Sequence, residues 1–305
     1  MEEPFVLSEQ TRLKGLAYRI TGSVCDAEDV IQDAWIRWQA RDGSNVQDPS
    51  RYLTRIVTNL SLDKLRARKK ERDAYTGMWL PEPVLEYSEP AENADPASEQ
   101  ELADELGVAF LLALESLSPL ERVVFILHDV FAYSFAEVAS IIEREPASCR
   151  QLASRARKAI KAARPRYPAT TESAKAVALA FQHAVRNGDI DALTRLLGEN
   201  VNFVSDGGGK VAAVSKPVSG AVTVTKLLLG FQKSYRDSNK IQVDFSWVNQ
   251  LPGFIFRQGP VVIQTVALEI SDKNLIDGIY VVRNPEKLGH LDLARSSTTH
   301  PNTGK

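Results

Sequence analysis

"SFAEVASIIEREPASCRQLASRARKAIKAAR", residues 134–164, reads as two helices joined by the short turn Arg144-Glu145-Pro146. On the second helix Cys149, Leu152, Ala153, Ala156 and Ile160 recur at helical spacing and make a buried stripe. Ser148, Gln151, Arg155 and Lys158 fall on the opposite face. This is the spacing of a helix-turn-helix. Its second helix lays such a face in the major groove, where Arg pairs with guanine and Gln with adenine. A merely solvated basic face is the bland alternative, and the preceding helix and turn weigh against it. Upstream, "SPLERVVFILHDVF" (118–131) offers Ser118 as N-cap and Pro119 at the first helical position, so one helix is expected there.

The N-terminal stretch 8–72 also reads as helices. "DAEDVIQDAWIRWQ" (26–39) opens with acids, which suit a helix N-terminus, and stripes Val30, Ile31, Ala34 and Trp38. "SRYLTRIVTNLSLDKLRARKKERD" (50–73) is a long amphipathic helix with Leu53, Ile56, Val57 and Leu60 inward. Trp35, Trp38 and Tyr52 read as packed rather than as stacking platforms. Asn59 has no evident capping role and is the better candidate for a nucleic-acid contact.

The 305 residues suffice for two or three domains. The net charge of −2 conceals segregation along the chain. Lys64 to Arg72 holds six bases against one acid, Glu82 to Glu105 holds nine acids and no base, and Arg144 to Arg166 holds eight bases against one acid. Two basic blocks around an acidic spacer point to two separate nucleic-acid surfaces. Residues 73–103, with prolines at 81, 83, 90 and 96, read as a linker without regular structure. Within it "WLPEP" (79–83) stands out as an apolar contact onto a neighbouring domain.

From 172 to 295 the pattern changes to two helices, a strand, a further helix over "VTVTKLLLGFQKSYR" and then several strands. That order suggests an α+β domain with a curved antiparallel sheet. The tail 296–305 reads as disordered. "SDGGGKV" (205–211) lacks the upstream glycine and the following Ser or Thr of a phosphate loop, and no G-x-G-x-x-G is present. Glycine at positive φ in a turn is the plain reading, and a docking surface the other. Two cysteines, Cys25 and Cys149, fit a reducing cytosol, so the expected location is cytoplasmic. Four scattered histidines give no metal spacing, and no cofactor is expected. The acidic N-terminus is not a signal peptide, and no apolar run is long enough to span a bilayer.

"DAEDVIQDAWIRW" followed by "DPSRYLTRIVTNLSLDKLRARKK" resembles region 2 of the extracytoplasmic-function (ECF) sigma factors. "LSPLERVVFILHDVFAYSFAEVASIIEREPASCRQLASRARKAI" resembles their region 4. The appended domain is similar to the SnoaL-like, NTF2-type cone. "WLPEP", "DGGGK" and "NPEKL" (284–288), in that order, look like the signature of the SigJ-like subgroup called ECF41. The resemblance implies a sigma factor with all-α region 2 over 1–72, the acidic linker 73–103, region 4 over 104–166 and a regulatory domain over 172–295. Its partners would be RNA polymerase core, through the β′ clamp and β flap, and promoter DNA, with no membrane. Asp26, Glu28, Asp29, Gln32 and Asp33 would bind the clamp. Asn59 would receive a flipped −10 base, with the 40–49 loop completing the pocket and Arg55, Lys64 and Arg66 adding basic contacts. Arg144, Ser148, Gln151, Arg155 and Lys158 would read the −35 duplex. The spacer would thread the RNA-exit side of polymerase.

Regulatory contacts are expected at Trp79, Leu80 and Pro81, at Asp206, Gly207, Gly208, Gly209 and Lys210, and at Asn284, Pro285, Glu286, Lys287 and Leu288. Asp206 and Lys210 would flank the glycines as an exposed pair of opposite charges, and NPEKL would end the last strand. The rival readings are an NTF2-type enzyme using Asp206, Asp244 or His183 as base, and a repressor acting without polymerase. A third is a small-molecule sensor with Phe203, Phe231, Phe245 and Trp247 around a pocket. None of the three acid-base candidates forms a dyad by spacing, so no enzyme is expected.

Overall fold

The computed structural model describes residues 3–40, 46, 48–72, 77–86, 108–163, 169–236 and 241–293. The chain divides into two compact units, Met1–Ala74 with Asn93–Arg164, and Tyr75–Glu92 with Pro165–Lys305. The 296–305 tail and most of the 40–49 loop lie outside the described residues.

The first unit contains helices α1 (Glu3–Thr21), α2 (Val24–Gln39), α3 (Pro49–Arg72), α4 (Val108–Glu115), α5 (Pro119–Phe125), α6 (Phe135–Ile142) and α7 (Pro146–Ala163). The expected single helix over 118–131 is α5 followed by a π-helical turn, Ile126–Val130. There the Phe131 N–H reaches back five residues to the Ile126 carbonyl at 3.0 Å. His128 Nδ1 sits 2.7 Å from the Tyr133 carbonyl, so the wider turn also anchors the following loop. Helices α5 and α6 both open on reciprocal capping boxes, Ser118 with Glu121 and Ser134 with Glu137. Glu143 closes α6 in the left-handed region at φ 54°, and Pro146 starts α7.

One apolar core runs through all seven helices, from Leu16, Val30 and Val57 to Leu114, Val124, Val138 and Ala153. Polar groups tie the same helices together. Arg12 Nη2 bonds Glu9, Ser50 and Thr54, while Thr54 and Tyr133 share a hydrogen bond of 3.0 Å. The buried Arg122 on α5 donates to the Arg19 carbonyl of α1 at 3.1 Å.

The second unit contains α8 (Thr171–Asn187), α9 (Ile190–Leu196) and α10 (Ala221–Arg236) beside a seven-stranded sheet. Its strands are β1 (Leu85–Glu86), β2 (Leu197–Asp206), β3 (Val218–Ser219), β4 (Ile241–Val248), β5 (Leu251–Gln258), β6 (Val261–Ile270) and β7 (Ile276–Val282), in the order β1-β4-β5-β6-β7-β2-β3. The sheet is mixed rather than antiparallel throughout, because β2 pairs parallel with β7. The antiparallel run β4-β5-β6-β7 brings the last strand alongside the first long one in the same direction, with α10 in the connection. Phe181, Leu193, Phe203, Val224, Trp247 and Phe254 belong to its core, giving an α+β domain. Two short helices follow β7, α11 (Pro285–Leu288) and α12 (His290–Leu293).

Part of the expected linker is ordered in this unit. β1 adds to the sheet edge, with Leu85 opposite Val248 and Glu86 opposite Trp247.

Candidate functional site

On α7 the sequence stripe is inside: Cys149, Ala153, Ala156 and Ile160 are buried, with Leu152 packed against them. Gln151, Arg155 and Lys158 are exposed on the other face, Ser148 is half-buried, and Arg144 is exposed in the turn. Asn59 is half-buried on α3. Trp35 and Trp38 pack against the core, and Trp38 lies 5.8 Å from the Tyr52 ring.

Several charged candidates already have partners within the helical unit. Arg55 of α3 pairs with Glu143 at 2.8 Å, Arg66 with Asp63 at 3.3 Å, and Arg51 with Glu137 of α6. Lys64 bonds Asp29 at 2.9 Å and lies 3.5 Å from Asp26. The hydrogen bond that Lys64 donates to Asp29 holds its ammonium above the ordinary lysine range. Glu28 pairs with Lys14 at 2.8 Å, while Gln32 and Asp33 are exposed on α2.

In the second unit the three short motifs converge. Asp206 ends β2 fully buried, and its Oδ2 accepts from Lys287 Nζ at 2.7 Å and from the Leu80 N–H at 2.9 Å. Its Oδ1 accepts from the Gly208 N–H at 2.9 Å. Its main-chain carbonyl accepts from the Arg283 and Asn284 N–H groups at 2.7 and 3.1 Å. Lys287 Nζ donates in turn to the Leu80 carbonyl at 2.5 Å and sits 4.0 Å from the centre of the Trp79 ring. The buried ammonium thus meets a carboxylate, a carbonyl and an aromatic face, which together offset its desolvation.

The expected exposed pair of Asp206 with Lys210 is absent. Lys210 instead pairs with Glu286, so each charge of DGGGK meets one charge of NPEKL. NPEKL is a helical turn after β7, not the end of the strand, and Asn284 caps it by accepting from the Glu286 N–H at 3.1 Å. Pro285 occupies its first turn, and Leu288 is buried. The glycines have local reasons. Gly208 and Gly209 lie at φ 64° and 69°. A Cβ at Gly208 would come within 2.4 Å of the Asn284 side chain, and one at Gly207 within 2.4 Å of the Val211 carbonyl.

The clasp extends along the linker. Leu80 is fully buried and Pro81 is buried. His290 Nε2 lies 2.8 Å from the Pro83 carbonyl. Asn249 exchanges two bonds with Val84, its N–H donating to the Val84 carbonyl and its Oδ1 accepting from the Val84 N–H, both at 2.8 Å.

Residues 5–71 match the family model for sigma-70 region 2, and residues 107–160 that for sigma-70 region 4. The chain is 40% identical over 224 residues to the ECF RNA polymerase sigma factor SigJ of Mycobacterium tuberculosis, covering 73% of this chain and 70% of that protein. The chain belongs to the ECF sigma factors.

This sigma factor is also 32% identical over 191 residues to the probable ECF sigma factor SigI of M. tuberculosis, covering 62% of this chain and 64% of that protein. It matches the crystal structure of M. tuberculosis SigJ with a TM-score of 0.74 at 32% identity, over 94% of this chain and 98% of that one. As a sigma factor it directs polymerase to promoters, and its C-terminal domain fits the SigJ-like architecture.

Among the described residues of the sigma factor no helix is long and apolar enough to cross a membrane. The three acid-base candidates each have different partners. Asp206 is in the clasp, Asp244 lies beside Gln242 and 3.8 Å from Arg257, and exposed His183 bonds Asn187. Between the helices and one face of the sheet lies a cavity of about 860 Å³. Phe203 and Phe231 line it, whereas Phe245 and Trp247 do not and pack edge-on to each other beside it.

Two contributors to the clasp escape a reading of the sequence, Asn249 and His290. For Asn249 a signal exists, since "NQ" separates two alternating runs and marks a tight hairpin. Asn249 and Gln250 indeed lie at φ 49° and 63°. His290 follows NPEKL by two residues, and nothing in its setting marks it.

Proposed function

We propose that this sigma factor is regulated by its C-terminal domain through the linker between region 2 and region 4. The observation that carries this is the capture of Leu80. Its N–H and its carbonyl are both bonded by the buried Asp206–Lys287 pair. A segment lying in sequence between the two promoter-reading regions is thereby built into the domain that follows them. Residues 79–86 are removed from the length of chain by which region 4 can move away from region 2 on polymerase. Any influence that favours the clasped or the released segment shifts activity by its differential affinity for the two states.

Within this scheme α2 docks on the polymerase clamp through Asp33 and Gln32, which are exposed, together with Asp26, Glu28 and Asp29. Asn59 reads a −10 base, and Gln151, Arg155 and Lys158 read the −35 duplex from the exposed face of α7. Arg55 and Lys64 exchange their present partners for DNA phosphate when the regions engage a promoter, a step favoured by counterion release. The chain acts as a regulator and not as an enzyme, and with polymerase as partner it works in the cytoplasm. A second reading is favoured by the cavity of about 860 Å³: a small molecule occupies the cone.

The experiment is run-off transcription with core polymerase, comparing the full chain with Leu80→Asp. This variant puts a carboxylate at the fully buried Leu80 position, while every residue after the linker stays as it is. Release of the linker should change transcript yield while leaving core binding intact. Equal yields from both proteins would remove the linker from regulation.

A further inference from the structure

The cone cavity has a chemical polarity that goes beyond its size. Its volume of about 860 Å³ lies within the range of small-molecule sites, about 300–1,000 Å³. Five phenylalanines line its body: Phe181, Phe203, Phe231, Phe254 and Phe256. Its polar groups on the sheet gather at one end. Ser205 closes β2, Arg283 follows β7, and Gln264 sits on β6 at the position facing Arg283 across the β6-β7 ladder. None of the described lining residues is acidic.

Arg283 is the decisive group. Its Nη1 donates to the Ala212 carbonyl, its Nε is buried without a hydrogen-bond partner, and it makes no ion pair among the described residues. A guanidinium that is partly withdrawn from water and lacks a counter-charge is costly, and an anion in the cavity would offset that cost. The alternative of a water-filled, unselective cone leaves this cation, at the polar end of a phenylalanine-lined cavity, unexplained.

We propose that the cavity binds an apolar carboxylate, its hydrocarbon body against the phenylalanines and its acid group on Arg283. This rests on the second reading above and deepens it by naming the ligand class. The location also matters for control. Ser205 and Asp206 are neighbours on β2 that point to opposite faces of the sheet, one to the cavity and one to the linker clasp. Ser205 accepts from the Val214 N–H at 2.7 Å and Arg283 holds Ala212, so the loop following the glycines also closes the polar end of the cavity. The Arg283 N–H in turn bonds the Asp206 carbonyl.

The test uses the full chain and the fluorescent anion 8-anilinonaphthalene-1-sulfonate as reporter. Decanoate and decan-1-ol, which share a chain length and differ in charge, are titrated as competitors. Decanoate should displace the dye at a concentration about tenfold or more below the alcohol, as one charge-assisted hydrogen bond provides. Arg283→Gln should abolish that preference and Arg283→Lys should retain part of it. Equal displacement by acid and alcohol, an unchanged preference in Arg283→Gln, or no saturable dye binding would overturn the proposal. The acid-alcohol comparison on the unaltered chain stands even if a variant misfolds. Leu80→Asp should keep the preference for decanoate over the alcohol, so failure of the linker model and failure of the ligand site are separate results.

Discussion

Asp206 and Lys287 meet at 2.7 Å in an ion pair buried on both sides, and both partners also bond the main chain of Leu80. The companion pair between the same two motifs, Lys210 with Glu286, is exposed at 50% and 66% of its side-chain surfaces. Two carboxylate–ammonium pairs between the same two motifs are therefore in opposite physical regimes.

That contrast sets the first prediction. Lys287→Ala leaves the Asp206 carboxylate buried without its counter-ion, at a cost of about 3–5 kcal/mol. Lys210→Ala should cost about 0–1 kcal/mol, because water screens its pair. Denaturant unfolding of the full chain, followed through the transition of the C-terminal domain, measures both. Adding Asp206→Asn to Lys287→Ala should recover part of the loss.

DNA reading and polymerase docking should separate by residue. Arg155→Ala should weaken binding to a −35 duplex by about 1–3 kcal/mol if it contacts a base edge, with little effect on opening of the −10 element. Asn59→Ala should do the reverse. Fluorescence anisotropy on duplex DNA and a permanganate opening assay distinguish the two. Equal losses in both assays from both variants would indicate a folding defect instead.

Asp33→Lys should prevent assembly with core polymerase in a pull-down while leaving the melting temperature unchanged, since Asp33 is exposed on α2. Asp29→Lys is the less clean variant, because it also sets a lysine against Lys64 in place of their 2.9 Å bond. Retained assembly of Asp33→Lys would remove α2 from the docking surface.

The sheet carries its own pH dependence. Burial pushes the Glu269 carboxyl above the ordinary range, against the hydrogen bond from the Tyr280 hydroxyl, and the charge of Asp277 adds to the rise. A carboxyl whose folded pKa exceeds its unfolded value, about 4.3, favours the folded state below that value. The contribution is lost as pH rises through the folded pKa. Glu269→Gln should therefore be more stable than the parent at neutral pH and flatter in stability from pH 4 upward. Parallel curves for the two proteins would contradict this sign.

The helical half was legible because local signals agreed with the tertiary result. The stripe Cys149, Ala153, Ala156 and Ile160 is buried, and Ser118 with Pro119 starts α5. What stayed hidden depends on contacts remote in sequence. The π-helical turn arises from bonds to Tyr133 and Phe131 that no periodicity reveals. The parallel pairing of β2 with β7 joins strands separated by the rest of the sheet. The three motifs were recognisable as motifs, but charge order alone suggested a local Asp206–Lys210 pair. Desolvation decides otherwise, since buried Asp206 needs the ammonium that reaches it together with the Leu80 main chain. The linker composition suggested no regular structure, and β1 forms there only because the edge of β4 supplies its partner.

The most direct measurement is run-off transcription with core polymerase and promoter fragments, using the unaltered chain and Leu80→Asp at equal core occupancy. The account predicts promoter-dependent transcripts from the unaltered chain. It also predicts a change in yield of about fivefold or more in Leu80→Asp, the effect of removing one or two kcal/mol of linker capture. Promoter-dependent transcription that is the same in both proteins would contradict control through the linker.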